Sequence, residues 1–145
     1  MKILILHGPN LNMLGIRDEK LYGLQTLDEI NSQLIAIAKE SNIEVAFFQS
    51  NHEGALIDYL QENAGSANGI LINPGALTHY GYSLRDALSD TKLPIVEVHL
   101  SNIEDREDFR KIDVLTGIAI EKIIGIKGKS YTLGLENLIK HIQKL

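Results

Sequence analysis

Ile3-Leu4-Ile5-Leu6, followed at once by His7-Gly8-Pro9-Asn10, is an unbroken apolar run that ends in polar and turn-forming residues. Further runs of strand length follow along the chain: Ile43–Phe48, Gly69–Ile72, Ile95–Val98 and Lys122–Ile126. A strand with one solvated face alternates apolar and polar residues, whereas these runs are almost continuous. Such runs are typical of parallel strands that are buried on both faces.

Amphipathic helical spacing separates the apolar runs. Apolar residues recur three and four positions apart in the segments Leu27–Ala38, Ala55–Ala64, Tyr82–Leu88 and Leu133–Ile142. The alternation of strands and helices predicts an α/β fold, a doubly wound parallel sheet with helices on both faces. Five strands fit the flavodoxin-like order 2-1-3-4-5. Since no linker, repeat or low-complexity segment interrupts the pattern, residues 1–145 are predicted to form one domain.

Composition narrows the class of protein further. Of the 145 residues, 44% are hydrophobic and 23% are charged, which is ordinary for a globular domain. The net charge of -5 argues against a nucleic-acid partner. The sequence has no cysteine, which excludes disulfides, thiolate metal sites and a cysteine nucleophile. The apolar N-terminal run is too short for a signal peptide or a membrane span, so we expect a cytoplasmic protein without a membrane partner.

Polar residues follow the strands that this order makes neighbours. In doubly wound sheets, ligands bind at the carboxyl ends of the strands, near the point where the strand order reverses. Strand one leads to Asn10, strand three ends in Asn73, and strand four ends in Glu97-Val98-His99. Because these strands lie side by side in the predicted order, their polar ends converge. That convergence predicts an active site.

Glu97 and His99 are two residues apart, so their side chains point to the same face at a strand end. An imidazole oriented by a carboxylate is suited to general acid or base chemistry. The alternative is a polar pair that merely satisfies itself at a strand terminus, and we favour the active site because Asn10 and Asn73 lie alongside. Asn73-Pro74-Gly75 and Thr78-His79 have two interpretations of about equal weight. They are either part of this active site or simply a turn followed by a helix start.

Ser101-Asn102-Ile103-Glu104 has the spacing of a capping box, with Ser at the N-cap and Glu at N3. It predicts a helix through Arg110, whose first N–H groups form an anion site beside His99. Arg106 and Arg110, four residues apart, share one face of such a helix. Acidic neighbours make Arg106 a solvated surface residue in this interpretation. Arg110 is then the better candidate for binding a substrate carboxylate or hydroxyl.

An unusually long connection, residues 7–23, joins the first strand to the first long helix. Long loops in compact domains are often lids or binding loops, and this one carries Arg17 and Tyr22 between glycines. A tyrosine must lose its proton to act as a base, and a guanidinium nearby favours the phenolate. The alternative is that Arg17 lies in solvent and that Tyr22 packs its ring on the surface. Judged from the spacing of these two residues alone, this alternative is favoured.

Together these motifs resemble the signature of type II 3-dehydroquinate dehydratases. The resemblance runs in register through nearly the whole chain. It rests on Gly8-Pro9-Asn10-Leu11-Asn12, Leu14-Gly15, Arg17, Tyr22-Gly23, Ile72-Asn73-Pro74-Gly75-Ala76, Thr78-His79, Ser83, Arg85-Asp86-Ala87, Glu97-Val98-His99, Ser101-Asn102, Arg106-Glu107 and Phe109-Arg110. Motifs in this order and spacing are far more specific than any one of them.

The resemblance implies a flavodoxin-like fold and a lyase activity. The reaction is the reversible dehydration of 3-dehydroquinate to 3-dehydroshikimate, a step of the shikimate pathway in aromatic amino-acid biosynthesis. The resemblance also implies a homododecamer built from four trimers. It implies that the reaction requires no cofactor, no metal ion and no Schiff-base lysine.

The same resemblance implies a role for each matched residue. Tyr22 is expected to be the general base that removes the proton alpha to the ketone, with Arg17 activating it. His99 is expected to be the general acid, with Glu97 orienting its ring, and Asn10 to help hold a water that stabilises the enolate. The other expected substrate contacts are hydroxyl groups at Asn73, His79 and Arg110, the carboxylate at the backbone of Leu100 and Ser101, and Asp86 from a neighbouring subunit.

Two segments depart from the family pattern. Arg17-Asp18-Glu19-Lys20 lacks the proline that the family usually has in its lid, which leaves the loop less constrained. Lys111–Thr116 replaces a segment that usually contains His or Ser-Tyr. Neither departure touches a matched catalytic position.

Two other functions compete with the enzyme. One is a flavodoxin-like module that binds a mononucleotide or flavin without catalysis, and the other is an inactive relative kept as an assembly scaffold. The binding module predicts a Thr-, Ser- or Gly-rich phosphate loop after strand one, where Pro9-Asn10-Leu11 stands instead. The scaffold predicts loss of Tyr22, Arg17 or His99, and all three are present.

Overall fold

Five parallel strands form one sheet in the order 2-1-3-4-5, which confirms the predicted topology. The computed structural model describes all residues, 1–145. The strands are β1 (Lys2–His7), β2 (Glu44–Gln49), β3 (Gly69–Asn73), β4 (Ile95–Val98) and β5 (Glu121–Ile123). The strand order reverses between β1 and β3, which is where sheets of this type bind ligands.

Only β4 has its predicted bounds. β1 is longer by one residue at each end, β3 extends to Asn73, β2 ends at Gln49 and β5 begins at Glu121. β2 begins at Glu44 rather than at Ile43. β5 ends at Ile123 rather than at Ile126, because Gly125 turns the chain away from the sheet with a φ of 84°. The turn leads the chain into the last helix.

Helices cover both faces of the sheet. They are α1 (Glu19–Tyr22), α2 (Leu27–Glu40), α3 (Glu53–Asn63), α4 (Tyr82–Asp90) and α5 (Lys129–Ile142). A capping box begins α2: the Glu29 N–H donates to the Thr26 hydroxyl, and the Thr26 N–H donates to the Glu29 carboxylate. α5 begins at Lys129, one turn earlier than the apolar periodicity from Leu133 predicts. None of these helices has both the length and the apolar character needed to cross a bilayer.

The apolar side chains of each strand divide between two buried clusters. On β1, Ile3 and Ile5 join the cluster under α2 and α5, whereas Leu4 and Leu6 join the cluster under α3 and α4. Side chains alternate across a strand, so a continuous apolar run supplies both clusters at once. The same alternation places Glu97 on the face of β4 that carries Ile95, opposite to Val96 and Val98.

The loops after β1 and β3 pack tightly against each other at the carboxyl end of the sheet. The Gly8 N–H donates to the Asn73 carbonyl (2.8 Å), and a Cβ on Gly8 would lie 2.3 Å from the Pro74 oxygen. Glycine is therefore required at this position. Asn10 adopts a left-handed φ of 69°, which asparagine tolerates better than most residues. The close approach brings Asn10 and Asn73 to one edge of the sheet.

The helix predicted to run from Ser101 to Arg110 does not form. The segment instead has two short 3-10 turns, Ile103–Asp105 and Asp108–Lys111, and Asn102 accepts the cap hydrogen bond. Both predicted capping partners are engaged elsewhere. The Ser101 hydroxyl accepts from an arginine, and the Glu104 carboxylate pairs with a lysine of β5. The extended backbone between the turns sends the Arg106 side chain inward, and the helix-start anion site predicted beside His99 is absent.

His7, the last residue of β1, faces away from the convergent strand ends. Its Nε2 lies 2.9 Å from the Asn31 Oδ1, and its Nδ1 lies 2.7 Å from the Tyr131 hydroxyl. An amide oxygen only accepts, so Nε2 carries the proton and Nδ1 accepts from Tyr131. Burial lowers the pKa of His7 to about 4, against a smaller opposing effect of its contact with Asn31.

This buried histidine makes stability depend on pH. In the unfolded chain a histidine titrates near its ordinary pKa of 6.5, whereas His7 in the fold titrates near 4. The unfolded state therefore binds more protons between these values, so stability present above pH 6.5 is lost as the pH falls towards 4. We expect His7 alone to remove about 2 kcal/mol between pH 7 and pH 5.

Urea unfolding at pH 7 and pH 5, at one protein concentration, tests this expectation. His7→Gln removes the titrating group, and its free energy of unfolding should change less between the two pH values than that of the unmodified chain. His52→Gln, an exposed position, is the control. An identical pH dependence in all three proteins would contradict the assignment to His7.

Candidate active site

A cavity opens at the carboxyl ends of β1, β3 and β4, beside the long loop that contains α1. Nine of the eleven predicted site residues line it: Asn10, Arg17, Tyr22, Asn73, His79, His99, Leu100, Ser101 and Arg110. The convergence predicted from the strand order is therefore present. The other two do not line the cavity: Glu97 contacts His99 from within the fold, and Asp86 is exposed on α4.

Glu97 and His99 form a buried pair at the end of β4, as their spacing predicts. The Glu97 Oε1 lies 2.6 Å from the His99 Nε2, and the two residues are only 1% and 4% exposed. The Thr78 hydroxyl donates to the same carboxylate oxygen at 2.5 Å. Because Nε2 is engaged by Glu97, Nδ1 is the ring nitrogen that remains for a ligand in the cavity.

Two guanidinium groups surround the ring of Tyr22. The Arg17 Cζ lies 3.8 Å from the ring centroid, in cation–π contact with the ring. Arg106 donates from Nη1 to the Tyr22 hydroxyl at 2.9 Å and to the Ser101 hydroxyl at 3.3 Å. The side chain of Arg106 is only 15% exposed, so its interpretation as a solvated surface residue is wrong. Arg106, rather than Arg17, contacts the Tyr22 hydroxyl.

Tyr22 is the last residue of α1, a four-residue helix inside the long loop. Asp18 caps this helix, and its carboxylate accepts from the Lys20 N–H at 2.9 Å. Gly23 ends the helix with a φ of 77°, and Gly15 has a φ of 98° on the other side of Arg17. The segment between these two glycines, residues 16–22, is called the lid below. It carries both Arg17 and Tyr22.

The rest of the cavity wall supplies polar groups for a substrate. The His79 Nδ1 donates to the Ile112 carbonyl at 2.7 Å, which leaves the other ring nitrogen as an acceptor. The Asn73 side-chain oxygen accepts from the Gly75 N–H at 3.1 Å. Arg110 reaches the cavity but is held by the Glu107 carboxylate at 2.5 Å. A histidine paired with a buried carboxylate, a tyrosine with two arginines and this polar wall thus share one cavity.

Comparison with known proteins identifies the family. The family model for class II dehydroquinase matches residues 1–139. The chain belongs to the class II dehydroquinases. A curated 3-dehydroquinate dehydratase from Roseiflexus castenholzii is 54% identical over 139 residues, which cover 96% of this chain and 88% of that protein. One from Geotalea daltonii is 51% identical over 144 residues, which cover 99% and 100%.

Solved structures agree with this assignment. The type II dehydroquinase from Butyrivibrio crossotus superposes with a TM-score of 0.91 at 44% identity, covering 95% of this chain and 97% of that one. Family and fold together do not favour the mononucleotide- or flavin-binding module as an alternative function. In this class II dehydroquinase, no group of three His, Cys, Asp or Glu side chains is placed to hold a metal ion.

Three residues beside the dehydroquinase site were not among the predicted site residues. Arg106 contacts Tyr22, while Thr78 and Asp113 lie behind Glu97. Local spacing alone could not distinguish Arg106 from a surface arginine. Asp113 lies in the segment that departs from the family pattern, and its meaning depends on a lysine that is distant in sequence. That lysine, Lys122, is the middle residue of the short edge strand β5, and nothing in its local sequence marks it as a partner of Asp113.

Proposed function

We propose that this class II dehydroquinase converts 3-dehydroquinate to 3-dehydroshikimate by anti elimination of water through an enolate. Its curated relatives carry the name 3-dehydroquinate dehydratase. The observation that carries the proposed mechanism is a single cavity with Tyr22, flanked by two arginines, and His99, paired to a buried carboxylate. Anti elimination needs a base and an acid on opposite faces of the ring, and a lid and a strand end can supply them.

The lid supplies the base in this mechanism. The Tyr22 oxygen, as phenolate, takes the proton alpha to the ketone, and the electron pair of that bond passes into the enolate. A donated hydrogen bond from a cation favours the phenolate, and Arg106 makes that contact. Arg17 lies on the ring face, where its positive charge favours the phenolate over the neutral phenol. We therefore divide the activating role that the resemblance gave to Arg17 between Arg17 and Arg106.

The loop after β1 is proposed to stabilise the enolate oxygen. Asn10 lines the cavity, and its side chain holds a water against that oxygen in the proposed mechanism. The loop is anchored there because the Asn10 N–H donates to the Asn51 side-chain oxygen at 3.0 Å. A donor held in place before the reaction stabilises developing charge without reorganising.

The strand end supplies the acid. His99, as imidazolium, gives its Nδ1 proton to the departing hydroxyl, which leaves as water while the enolate collapses to the conjugated enone. Glu97 holds Nε2 and stabilises the imidazolium. The substrate is held by Asn73, His79 and Arg110 at its hydroxyl groups and by the backbone of Leu100 and Ser101 at its carboxylate. These binding roles are also proposals.

A direct assay tests the reaction. Purified protein mixed with 3-dehydroquinate should form the conjugated enone, which is followed by its ultraviolet absorbance. Borohydride added together with the substrate should leave the activity intact, because no imine forms on the enzyme. Folded protein that forms no enone contradicts the proposed activity. Inactivation by borohydride contradicts the enolate mechanism.

We expect Arg106→Met to lower kcat by about 10²–10³-fold, because the Tyr22 oxygen loses its only guanidinium donor. The acidic limb of the kcat profile should also move to higher pH, since the phenolate is less favoured. Lys111→Met, in the same loop and 60% exposed, is the matched control. A higher KM with unchanged kcat would instead make Arg106 a substrate ligand only.

We further propose a homo-oligomer, a trimer-based dodecamer, in which Asp86 completes the site of a neighbouring subunit. Asp86 does not line the cavity of its own chain. It is exposed on α4 four residues after Tyr82, which is 65% exposed, so an aromatic ring and a carboxylate share one face that a second copy could cover.

Co-expression of two defective chains tests this arrangement. Asp86→Ala and Tyr22→Phe each remove one half of a shared site. In mixed oligomers, a chain with an intact Tyr22 can receive Asp86 from a Tyr22→Phe neighbour, so activity should reappear. An active monomer, or no recovery in verified mixed oligomers, would contradict the shared site. That residues 1–145 form one catalytic domain, and that it is cytoplasmic, stay predictions.

A further inference from the structure

Behind the acid, polar contacts continue beyond Glu97 to three residues that the proposed mechanism does not use. The Thr78 hydroxyl contacts the Glu97 Oε1 at 2.5 Å and the Asp113 Oδ1 at 3.1 Å. The Asp113 Oδ2 lies 3.2 Å from the Lys122 Nζ. Contacts therefore run from His99 through Glu97, Thr78 and Asp113 to Lys122, and these five residues are called the relay below.

The fold builds the relay from separate parts of the chain. Lys122 of β5 pairs in register with Glu97 of β4, so their side chains share one face of the sheet. The loop that carries Asp113 is tied down because the Val114 N–H donates to the Thr78 carbonyl at 2.8 Å. The relay therefore depends on tertiary structure and not on a local motif.

Counting protons shows why the relay needs its lysine. The Thr78 hydroxyl has one proton, so it donates to one of its two carboxylate neighbours, and the shorter distance selects Glu97. Asp113 accepts instead from the Leu115 N–H at 2.8 Å. Two buried carboxylates this close disfavour each other's ionised form unless a cation compensates. Lys122 is that cation.

Electrostatics support an ionised Asp113. Burial acts to raise the pKa of Asp113, but the hydrogen bond from the Leu115 N–H and the ion pair with Lys122 contribute to bringing it below its ordinary value. Burial likewise acts to lower the pKa of Lys122, yet Asp113 and Glu97 raise it above its ordinary value.

We propose that Asp113 and Lys122 are positioning residues for the acid, which together with Thr78 hold Glu97 against the His99 ring and set the net charge behind it. The proposal rests on the acid role given to His99 above. With Glu97 and Asp113 ionised and Lys122 protonated, the charge behind the ring is -1. The other charged or titratable side chains around the pair are Arg17, Tyr22, His79, Arg106 and Arg110 on the cavity side and Glu104 beside Lys122.

The net charge makes opposite predictions for the two ends of the relay. Asp113→Asn makes the charge zero, which disfavours the imidazolium. The alkaline limb of the pH profile of kcat should therefore move to lower pH, by about 0.5–1 pH unit. Lys122→Met makes the net charge -2 and should move the same limb to higher pH. The double variant returns the charge to -1, so its limb should lie close to that of the unmodified enzyme. KM should change less than about twofold in all three, because none of these groups lines the cavity.

Thr78 provides a test that leaves the charge unchanged. Thr78→Val removes the hydroxyl that holds Glu97, and kcat should fall about 10-fold, whereas Thr78→Ser keeps the donor and should retain most of the activity. Lys2→Met removes a lysine from the Lys2–Glu44 pair at the opposite end of the sheet and should leave the profile unmoved.

The pattern of limbs decides the proposal. Limbs that move in opposite directions in the single variants and cancel in the double variant support it. A uniform loss of kcat without movement of the limb, in either single variant, would assign the relay a structural role and overturn the proposal. Should Asp113→Asn fail to fold, Lys122→Met, at a side chain that is 30% exposed, decides alone. Retained activity in His99→Ala would instead reject the acid itself, which keeps the two failures distinct.

Discussion

Tyr22→Phe should lower kcat by about 10²–10⁴-fold, because the phenylalanine ring fills the same space but has no oxygen to take the proton. The ring should keep its contact with Arg17, so the lid should still close over the substrate. We therefore expect KM to change little while the turnover collapses, which is the signature of an interaction used in the transition state. Initial rates of enone formation at several substrate concentrations separate the two constants.

Tyr59→Phe is the matched control for this substitution. Tyr59 lies on α3, away from the cavity, and its ring stacks on that of Phe48 with the centroids 4.4 Å apart. Loss of its hydroxyl should therefore leave kcat unchanged. If Tyr22→Phe retains more than about a tenth of the original kcat, the assignment of Tyr22 as the base is wrong. The proton acceptor would then have to be sought among the other groups of the cavity.

His99→Ala should also cost about 10²–10⁴-fold in kcat, because the hydroxyl must then leave without a proton. The substitution also leaves Glu97 buried without its partner, so we expect the folded protein to be less stable as well. The diagnostic result is the shape of the pH profile. Its alkaline limb should disappear, since the group whose deprotonation produces that limb is gone.

His141→Ala, at an exposed position near the end of α5, is the control for the loss of an imidazole. It should keep both kcat and the shape of the profile. Thermal unfolding of each variant separates a loss of folded protein from a loss of chemistry. An alkaline limb that persists in His99→Ala would show that another group is the acid.

The sheet was predictable from sequence because its signal is local. Each strand is a short apolar run, and burial on both faces requires that composition whatever lies around it. The strand ends could be paired from the order of elements alone, which is why Asn10, Asn73 and His99 were expected at one edge. Glu97 was expected beside His99 because the two-residue repeat of a strand is geometric.

The region after β4 was not predictable in the same way. Ser101 and Glu104 have the spacing of a capping box, but their side chains are drawn to Arg106 and Lys122 by contacts that depend on the whole fold. Arg106 and Arg110 lie in the same acidic segment, and the helix predicted there favoured Arg110 as the residue that faces the site. Only the break between the two 3-10 turns decides that Arg106 turns inward to Tyr22. Tertiary contacts of this kind outweigh local preference.

The cap on α1 affects the fraction of molecules in which the lid has the conformation described above. A proline restricts the backbone permanently, whereas the Asp18 side chain restrains it through one hydrogen bond that water can replace. In the proposed mechanism we therefore expect Tyr22 to belong to an ensemble in which the capped turn is one state and an unravelled turn is another. We then expect turnover to scale with the population of the capped state. A substrate group that contacts this turn should shift the population towards the capped state.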